Sequence, residues 1–285
     1  MLYKKGLGWP TTVNSKWLYS VSPLSKLGTK FIGNEIRFYK YIRSTQTLAI
    51  SLAENIENVA GTVVIAEQQS DGVGRIGRKW ISPKGGIWLS VILRPKIPIT
   101  RSTLISFAAA IAVSDTINRI TKLNSRLKWP NDIVIKGKKV AGILLDLAVQ
   151  NKSIKYAVIG IGINANVNAS KISSKIDNSP TFFGVTSLNS ELSDRNINKF
   201  EFIKVLLETL EYYYLKLENE KNVDKIIDKW KEGSDMLNKA VKVKTKHKCF
   251  DGVAVGIDKN GALFVKTTGG RLQKLISDDV MIRSN

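Results

Sequence analysis

The stretch DGVGRIGRKW, Asp71 to Trp80, contains a literal G-x-G-x-x-G at Gly72-Val73-Gly74-Arg75-Ile76-Gly77. A dinucleotide fingerprint needs a strand before these glycines, a helix after them, and an acid about 20 residues on. GTVVIAEQQ (Gly61 to Gln69) supplies the strand through its Val-Val-Ile run. The helix is missing. RKWISPKGG follows Gly77, and Pro83, Gly85 and Gly86 forbid one. No Asp or Glu occurs between Lys79 and Ser114, and no G-x-x-x-x-G-K-[ST] run occurs anywhere. The glycines therefore serve another purpose. A loop carrying Arg75, Arg78 and Lys79 can close over an anion with backbone N–H groups and guanidinium forks. Trp80 adds a flat surface for a ring.

Outward from this loop the pattern alternates strands and helices. EIRFYKYIRSTQTLAISLAENI reads as a strand, a turn and a helix capped by Ser44 or Thr45. GGIWLSVILRP is a strand. Ser102 is placed to cap a helix with Leu104, Ile105, Ala108, Ile111, Ala112 and Ile120 on its apolar face. SRLKWPNDIVIKGKKVAGILLDLAVQ holds two strands around a Lys136-Gly137-Lys138 turn, and KYAVIGIGINANV is a further strand. KFEFIKVLLETLEYYYLKLEN is a long amphipathic helix, and KIIDKWKEG is a second piece ending at Gly233. From Lys239 the character changes to short strands separated by DG, KNG and TTGG turns, the pattern of a small SH3-sized barrel.

Composition bounds the function. The chain has 285 residues, 43% hydrophobic, which suits one substantial domain and a small second one. One cysteine, Cys249, excludes an intramolecular disulfide framework and a cysteine-built zinc site, and reads as packing. The single histidine, His247, excludes paired-histidine metal sites and reads as a solvated strand residue. The longest apolar run, LISFAAAIAV, falls short of the ~20 residues that span a bilayer. No signal-peptide pattern opens the chain. A soluble, cytoplasmic protein is expected. The net charge is +20, unevenly spread. Residues 118–140 hold seven Lys/Arg against one acid, net +6, whereas Lys199 to Glu232 holds seven against eight, net −1. A basic field attracts nucleic acid, anionic lipid, phosphorylated substrates or an acidic partner. No DNA-recognition module is evident, and residues 1–30 are too short and irregular for a winged helix. Specific DNA binding and membrane association are not expected.

Two further stretches carry chemistry. KWPNDIVI sets Lys128, Asn131 and Asp132 around a Trp-Pro turn at the mouth of a strand. KKVAGILLD sends Lys139 into a strand whose Ala141-Gly142 let a flat ligand approach the backbone. A lysine entering an apolar strand is costly without a negative partner.

These pieces, with RSTQTLA, AEQQSDGVGRIGRKW, PKGGIWLSVIL and VIGIGINAN in order, resemble the biotin–protein ligases over about Ile36 to Asn285. The resemblance implies an α+β fold. Its mixed central β-sheet with helices is of the class II aminoacyl-tRNA-synthetase type, and a small SH3-like β-barrel follows. It divides the chain into an N-terminal extension (1–30), a catalytic domain (31–238) and a C-terminal domain (239–285), without a repressor module. It implies biotin, ATP and Mg²⁺ carried with the ATP, no dedicated metal ligands, and a biotin carboxyl carrier domain as partner. A homodimer is open.

Carried over by motif position, Ser44, Thr45 and Gln46 line the biotin ureido head, with Gln69 and Gly72 near it. Arg75 contacts the adenylate phosphate and orders the loop. Lys139 bridges the biotin carboxyl and the phosphate, and Gly142 lies beside biotin. Trp80 covers the adenine. Asn131 and Asn164 bond the nucleotide side, with Lys128 and Arg78 near the phosphates. Asp132 orients groups or receives the acceptor lysine's proton. The chain departs from the pattern at Val73, where many members carry arginine, and at Gln46, where asparagine is common. Lipoate ligases, which share this architecture, usually show an R-R-x-x-G-G-G-A-type run that is absent here.

Overall fold

The computed structural model describes residue 24 and residues 27–174, 184–245, 248–276 and 279–282. His247 and most of the expected N-terminal extension lie outside the described residues. Seven strands form the main sheet: β1 (Ile36–Tyr39), β2 (Val63–Ala66), β3 (Ile87–Leu93), β4 (Arg126–Lys128), β5 (Asp132–Ile135), β6 (Lys138–Gln150) and β7 (Ser153–Ile163). Their order is β1-β2-β3-β7-β6-β5-β4. Only β1 and β2 run parallel, joined through α1 (Thr45–Asn55), so the sheet is mixed.

One face is covered by α2 (Thr103–Thr121), α3 (Lys199–Glu218) and α4 (Val223–Gly233). Alternation on the strands decides what meets them. Ile87, Leu89, Val91 and Leu93 of β3, and Ala157, Ile159, Ile161 and Ile163 of β7, face this core. α2 is buried nearly all round, as a helix between a sheet and other helices must be. Phe107 stacks on Trp230 of α4 at 4.6 Å. Each large side chain so buried contributes about 1.5–3 kcal/mol. Leu24 belongs to this core, upstream of the domain start expected at residue 31.

The opposite face is only half covered. α1 lays Ala49, Leu52 and Ala53 on Val64, Ile92, Tyr156 and Val158. Beyond its first turn the sheet presents Gly160 and Gly162 of β7 and Gly142 of β6 instead of large side chains. That bare strip is the floor of the site.

The β5–β6 turn is tighter than expected. Lys136 and Gly137, at φ 49° and 76°, make a two-residue hairpin, and Lys138 already pairs with Ile135. β4 is a strand the sequence reading passed over. Ser102 occupies the N-cap position of α2 but makes no capping bond. A 3₁₀ turn at Ile99–Arg101 leads into it and leaves Ser102 helical rather than extended.

The C-terminal unit is a five-stranded antiparallel sheet ordered β11-β10-β9-β8-β12. Its strands are β8 (Ala240–Lys244), β9 (Cys249–Ile257), β10 (Leu263–Thr267), β11 (Leu272–Leu275) and β12 (Asp279–Ile282). The KNG and TTGG turns fall between β9 and β10 and between β10 and β11. The expected DG turn does not. Asp251-Gly252 lies inside β9, where a Cβ on Gly252 would meet Lys266 O at 2.5 Å. Cys249 is exposed rather than packed. This sheet joins the main core through Val241, Val243 and Leu263, and Gly261 O accepts from Trp129 Nε1 at 3.0 Å.

Candidate active site

Three segments converge over the glycine strip. The first is the start of α1. Ser44 is extended (φ −156°) and caps the helix, its hydroxyl accepting from Thr47 N–H at 3.3 Å. The second is the loop 71–80. Trp80 N–H donates to Gly72 O and Gly74 N–H to Arg78 O, both at 2.7 Å, folding it into a small hairpin around a 3₁₀ turn at Arg75–Gly77. Ile76 sits at its tip with φ 56°, and Val73 bridges Lys79 across it. The third is the Lys128–Asp132 turn with the β5–β6 hairpin. Together they enclose a cavity of about 590 Å³.

Every residue singled out from the sequence lines this cavity except Gly72. Gly72 lies beneath the loop, where a Cβ would meet Trp80 O at 2.4 Å and Ser82 Oγ at 2.6 Å. It lets the loop pack against its own base.

The two ends of the cavity differ. Around Thr45 the walls are neutral, polar and hydrogen-bonded. Thr45 N–H donates to Gln69 Oε1 at 2.7 Å, and Gln69 Nε2 donates to Ser82 Oγ at 2.8 Å. These bonds fix the Gln69 amide and leave it one N–H. Gln46, 3% exposed, donates through Nε2 to Asp146 Oδ2 (2.8 Å) and Val158 O (3.0 Å) and accepts from Ser90 Oγ (2.9 Å). Its donors are spent within the protein. Gly160 makes room for it, since a Cβ there would lie 2.6 Å from Gln46 Oε1.

At the other end Arg75, Arg78, Lys79, Lys128 and Lys139 stand on the wall with one carboxylate, Asp132. Lys139 Nζ meets Asp132 Oδ1 at 2.5 Å and lies 5.0 Å from the Trp80 ring centroid. Asp132 Oδ1 makes no aligned hydrogen bond, so the contact is a close ion pair. It supplies the negative partner that a lysine on this strand requires. Arg75 Nη1 donates to Asn131 Oδ1 at 3.1 Å, and Asn131 Nδ2 holds Ile143 O. Trp80 lies across the strip: a Cβ on Gly142 would come 3.0 Å from its ring and one on Gly162 2.5 Å. Its indole N–H is buried without a partner.

Residues 184–186 brace the Lys139 backbone, with Lys139 N–H donating to Gly184 O and Thr186 N–H to Lys139 O. Asn164 Nδ2 donates to Thr186 O at 3.0 Å, and Thr186 Oγ1 to Glu191 Oε1 at 2.7 Å. Partial burial raises the Glu191 carboxyl. The Thr186 hydroxyl and Lys136 outweigh that and hold it below its ordinary value. Sequence reasoning missed Ser90, Asp146, Thr186 and Glu191. A signal existed for Ser90, a lone hydroxyl between Trp88 and Ile92 on one face of an otherwise apolar strand.

Residues 38–164 match the biotin/lipoate A/B protein ligase family, and residues 236–283 match the biotin protein ligase C-terminal domain. The chain is 33% identical to a bifunctional ligase/repressor BirA of Bacillus spizizenii, over 89% of this chain and 76% of that one. The chain belongs to the biotin protein ligase family. It is also 29% identical to a biotin–[acetyl-CoA-carboxylase] ligase of Paracoccus denitrificans, over 80% of this chain and 92% of that one. Among solved structures it resembles the Aquifex aeolicus biotin protein ligase in complex with biotin and ATP. The TM-score is 0.72 at 25% identity, covering 88% of this chain and 100% of that one. No helix among the described residues of this family member is long and apolar enough to cross a membrane. Nor do the described residues contain a group of three His, Cys, Asp or Glu able to hold a metal ion. With Asp132 the one carboxylate on the cavity wall among the described residues, a magnesium ion would be held chiefly by the triphosphate that carries it.

Proposed function

We infer that this protein is an ATP-dependent biotin–protein ligase. It forms biotinyl-5′-AMP from biotin and MgATP, then transfers biotin to a lysine of a biotin carboxyl carrier domain. The observation that best supports this reading is the division of one cavity. A neutral hydrogen-bonding end suits a cyclic urea, and an end with five cations suits phosphates.

At the neutral end Ser44 O–H and the remaining Gln69 N–H donate to the ureido carbonyl, and Thr45 Oγ1 accepts a ureido N–H. The ring lies against Trp80, whose indole packs over Gly142 and Gly162. Trp80 thus walls biotin's path, and we also keep it as the cover of the adenine. The carboxylate then reaches Lys139. In the first step a carboxylate oxygen attacks the α-phosphorus and pyrophosphate leaves. Two anions must meet, and Lys139 and Arg75 neutralise them; a magnesium ion carried with the ATP would add charge neutralisation at the triphosphate. Lys128 and Arg78 face the departing pyrophosphate, and Asn164 and Asn131 hold the nucleotide side. In the second step the acceptor lysine's amine attacks the acyl carbon and AMP leaves. Asp132, once Lys139 turns to the substrate, is free to take the amine proton. No enzyme nucleophile is needed, and positioning carries much of the rate. Residues 31–238, with Leu24 packed on them, form the catalytic unit, and 239–285 the C-terminal domain.

The test is pyrophosphate release from MgATP with biotin, and in a parallel reaction with lipoate. Release dependent on biotin and not on lipoate is expected. Release with lipoate alone would overturn the reading.

A further inference from the structure

Behind the neutral end of the cavity runs a chain of hydrogen bonds, half-buried at Asp146 and fully buried from Gln46 inward, whose direction is fixed. Gln46 Nε2 faces two acceptors, Asp146 Oδ2 and Val158 O, at 2.8 and 3.0 Å. The reverse amide orientation would set Oε1 against both. Oε1 therefore faces Ser90, and because it accepts only, Ser90 must donate to it, at 2.9 Å. Ser90 has one hydroxyl proton. It is spent on Gln46, so the 2.9 Å contact between Thr45 Oγ1 and Ser90 Oγ is filled by the Thr45 proton. Thr45 thus turns its lone pairs to the cavity.

We propose that Asp146, Gln46 and Ser90 are positioning residues that select the ligand's head group. Asp146 sets the Gln46 amide, the amide sets Ser90, and Ser90 makes Thr45 Oγ1 an obligate acceptor. The neutral end then demands a ligand N–H at Thr45. A ring oxygen there would face Thr45's lone pairs, and a dithiolane would leave them unpaired. Gln46 acts through this chain and not by touching the ligand, which explains how glutamine stands where asparagine is common. Ser90 is 0% exposed and Gln46 3%, so no water competes for the proton order. A site built to bond an N–H rejects the analogue that lacks it.

The proposal rests on the biotin reading, and its test separates the two. Calorimetric titration of the full chain would use biotin and two cyclic carbamate analogues, each with one ureido N–H replaced by oxygen. Wild type is expected to bind one carbamate about tenfold or more weaker than biotin. Ser90→Ala lets the Thr45 hydroxyl turn, so biotin weakens while that carbamate does not, and the preference collapses. Asp146→Ala is expected to reduce the preference too, and Asp146→Asn, whose carbonyl still accepts from Gln46, to keep it. A purely structural role would weaken biotin and carbamate equally. Full preference in Ser90→Ala, or equal weakening, overturns the relay and leaves the ligase reading standing. Wild type that binds no biotin overturns both.

Discussion

The two ends of the cavity are built on opposite principles. Around Thr45 the polar groups are neutral and held by bonds within the protein, Thr47 donating to Ser44, Thr45 to Gln69 and Ser90 to Gln46. Around Lys139 the groups are charged and come from a hairpin loop, a turn and the start of β6, with Lys139 held by Asp132 and Arg75 by Asn131. The first end is finished before a ligand arrives. The second is held by contacts that a phosphate can replace. Recognition of a neutral ring asks for fixed donors and acceptors. Joining two anions asks for cations whose partners can be exchanged. Between them Trp80 packs over the glycine strip, which has no side chain to push it away, and walls the cavity.

The sharpest break of this contrast is Lys139→Ala. Loss of the shared cation is expected to lower biotin-dependent pyrophosphate release by about 100-fold or more, with biotin binding much less affected. Near-normal release would show that the cation end does not carry the first step. Next comes the path. Gly162→Ala drives a methyl into the Trp80 indole and should cost about 1–3 kcal/mol of biotin affinity, read by calorimetry. Unchanged affinity would mean that biotin does not run along the strip. Arg75→Ala tests the loop. Without its hold on Asn131 the variant should release biotinyl-5′-AMP into solution faster than wild type, as rapid-quench chromatography would detect. Equal retention would remove Arg75 from loop closure.

The smallest effect concerns the brace behind Asn164. Glu191 has a depressed carboxyl pKa, so its contribution to stability is present above the unfolded value near 4.3 and fades as pH falls through the folded value. The Glu191 side chain is 10% exposed but its partner Lys136 is 78% exposed, so the gain is below about 1 kcal/mol. The melting difference between wild type and Glu191→Gln should be small at pH 7 and shrink as pH falls below the ordinary carboxylate range. A difference that stays constant on acidification would mean that the ionised carboxyl is not what braces Thr186.

The same contrast explains what was legible in the sequence. The cation end is written in contiguous runs, GRIGRKW and KWPND, because a loop and a turn carry their chemistry locally. The catalytic strands were visible in their Val/Ile runs, and both long helices in their periodicity. The relay was not legible. Ser90, Gln46 and Asp146 sit on three separate elements and meet only when β3, α1 and β6 stack. β4 was passed over because three residues carry no period. The DG pair in β9 looked like a turn because a glycine required by close strand approach has the same local signature as one required by a reversal. Ser102 looked like a cap because residue type alone does not reveal a 3₁₀ turn leading into the helix.

If both ends of this cavity serve one reaction, that reaction ends on a protein. Intact mass measurement of a biotin carboxyl carrier domain, after incubation with the full chain, biotin and MgATP, reads that end point. A gain of one biotinyl group is expected, absent without ATP and absent with Lys139→Ala. An unmodified carrier domain, with no biotin-dependent pyrophosphate released in the same tube, would remove the cavity from this chemistry.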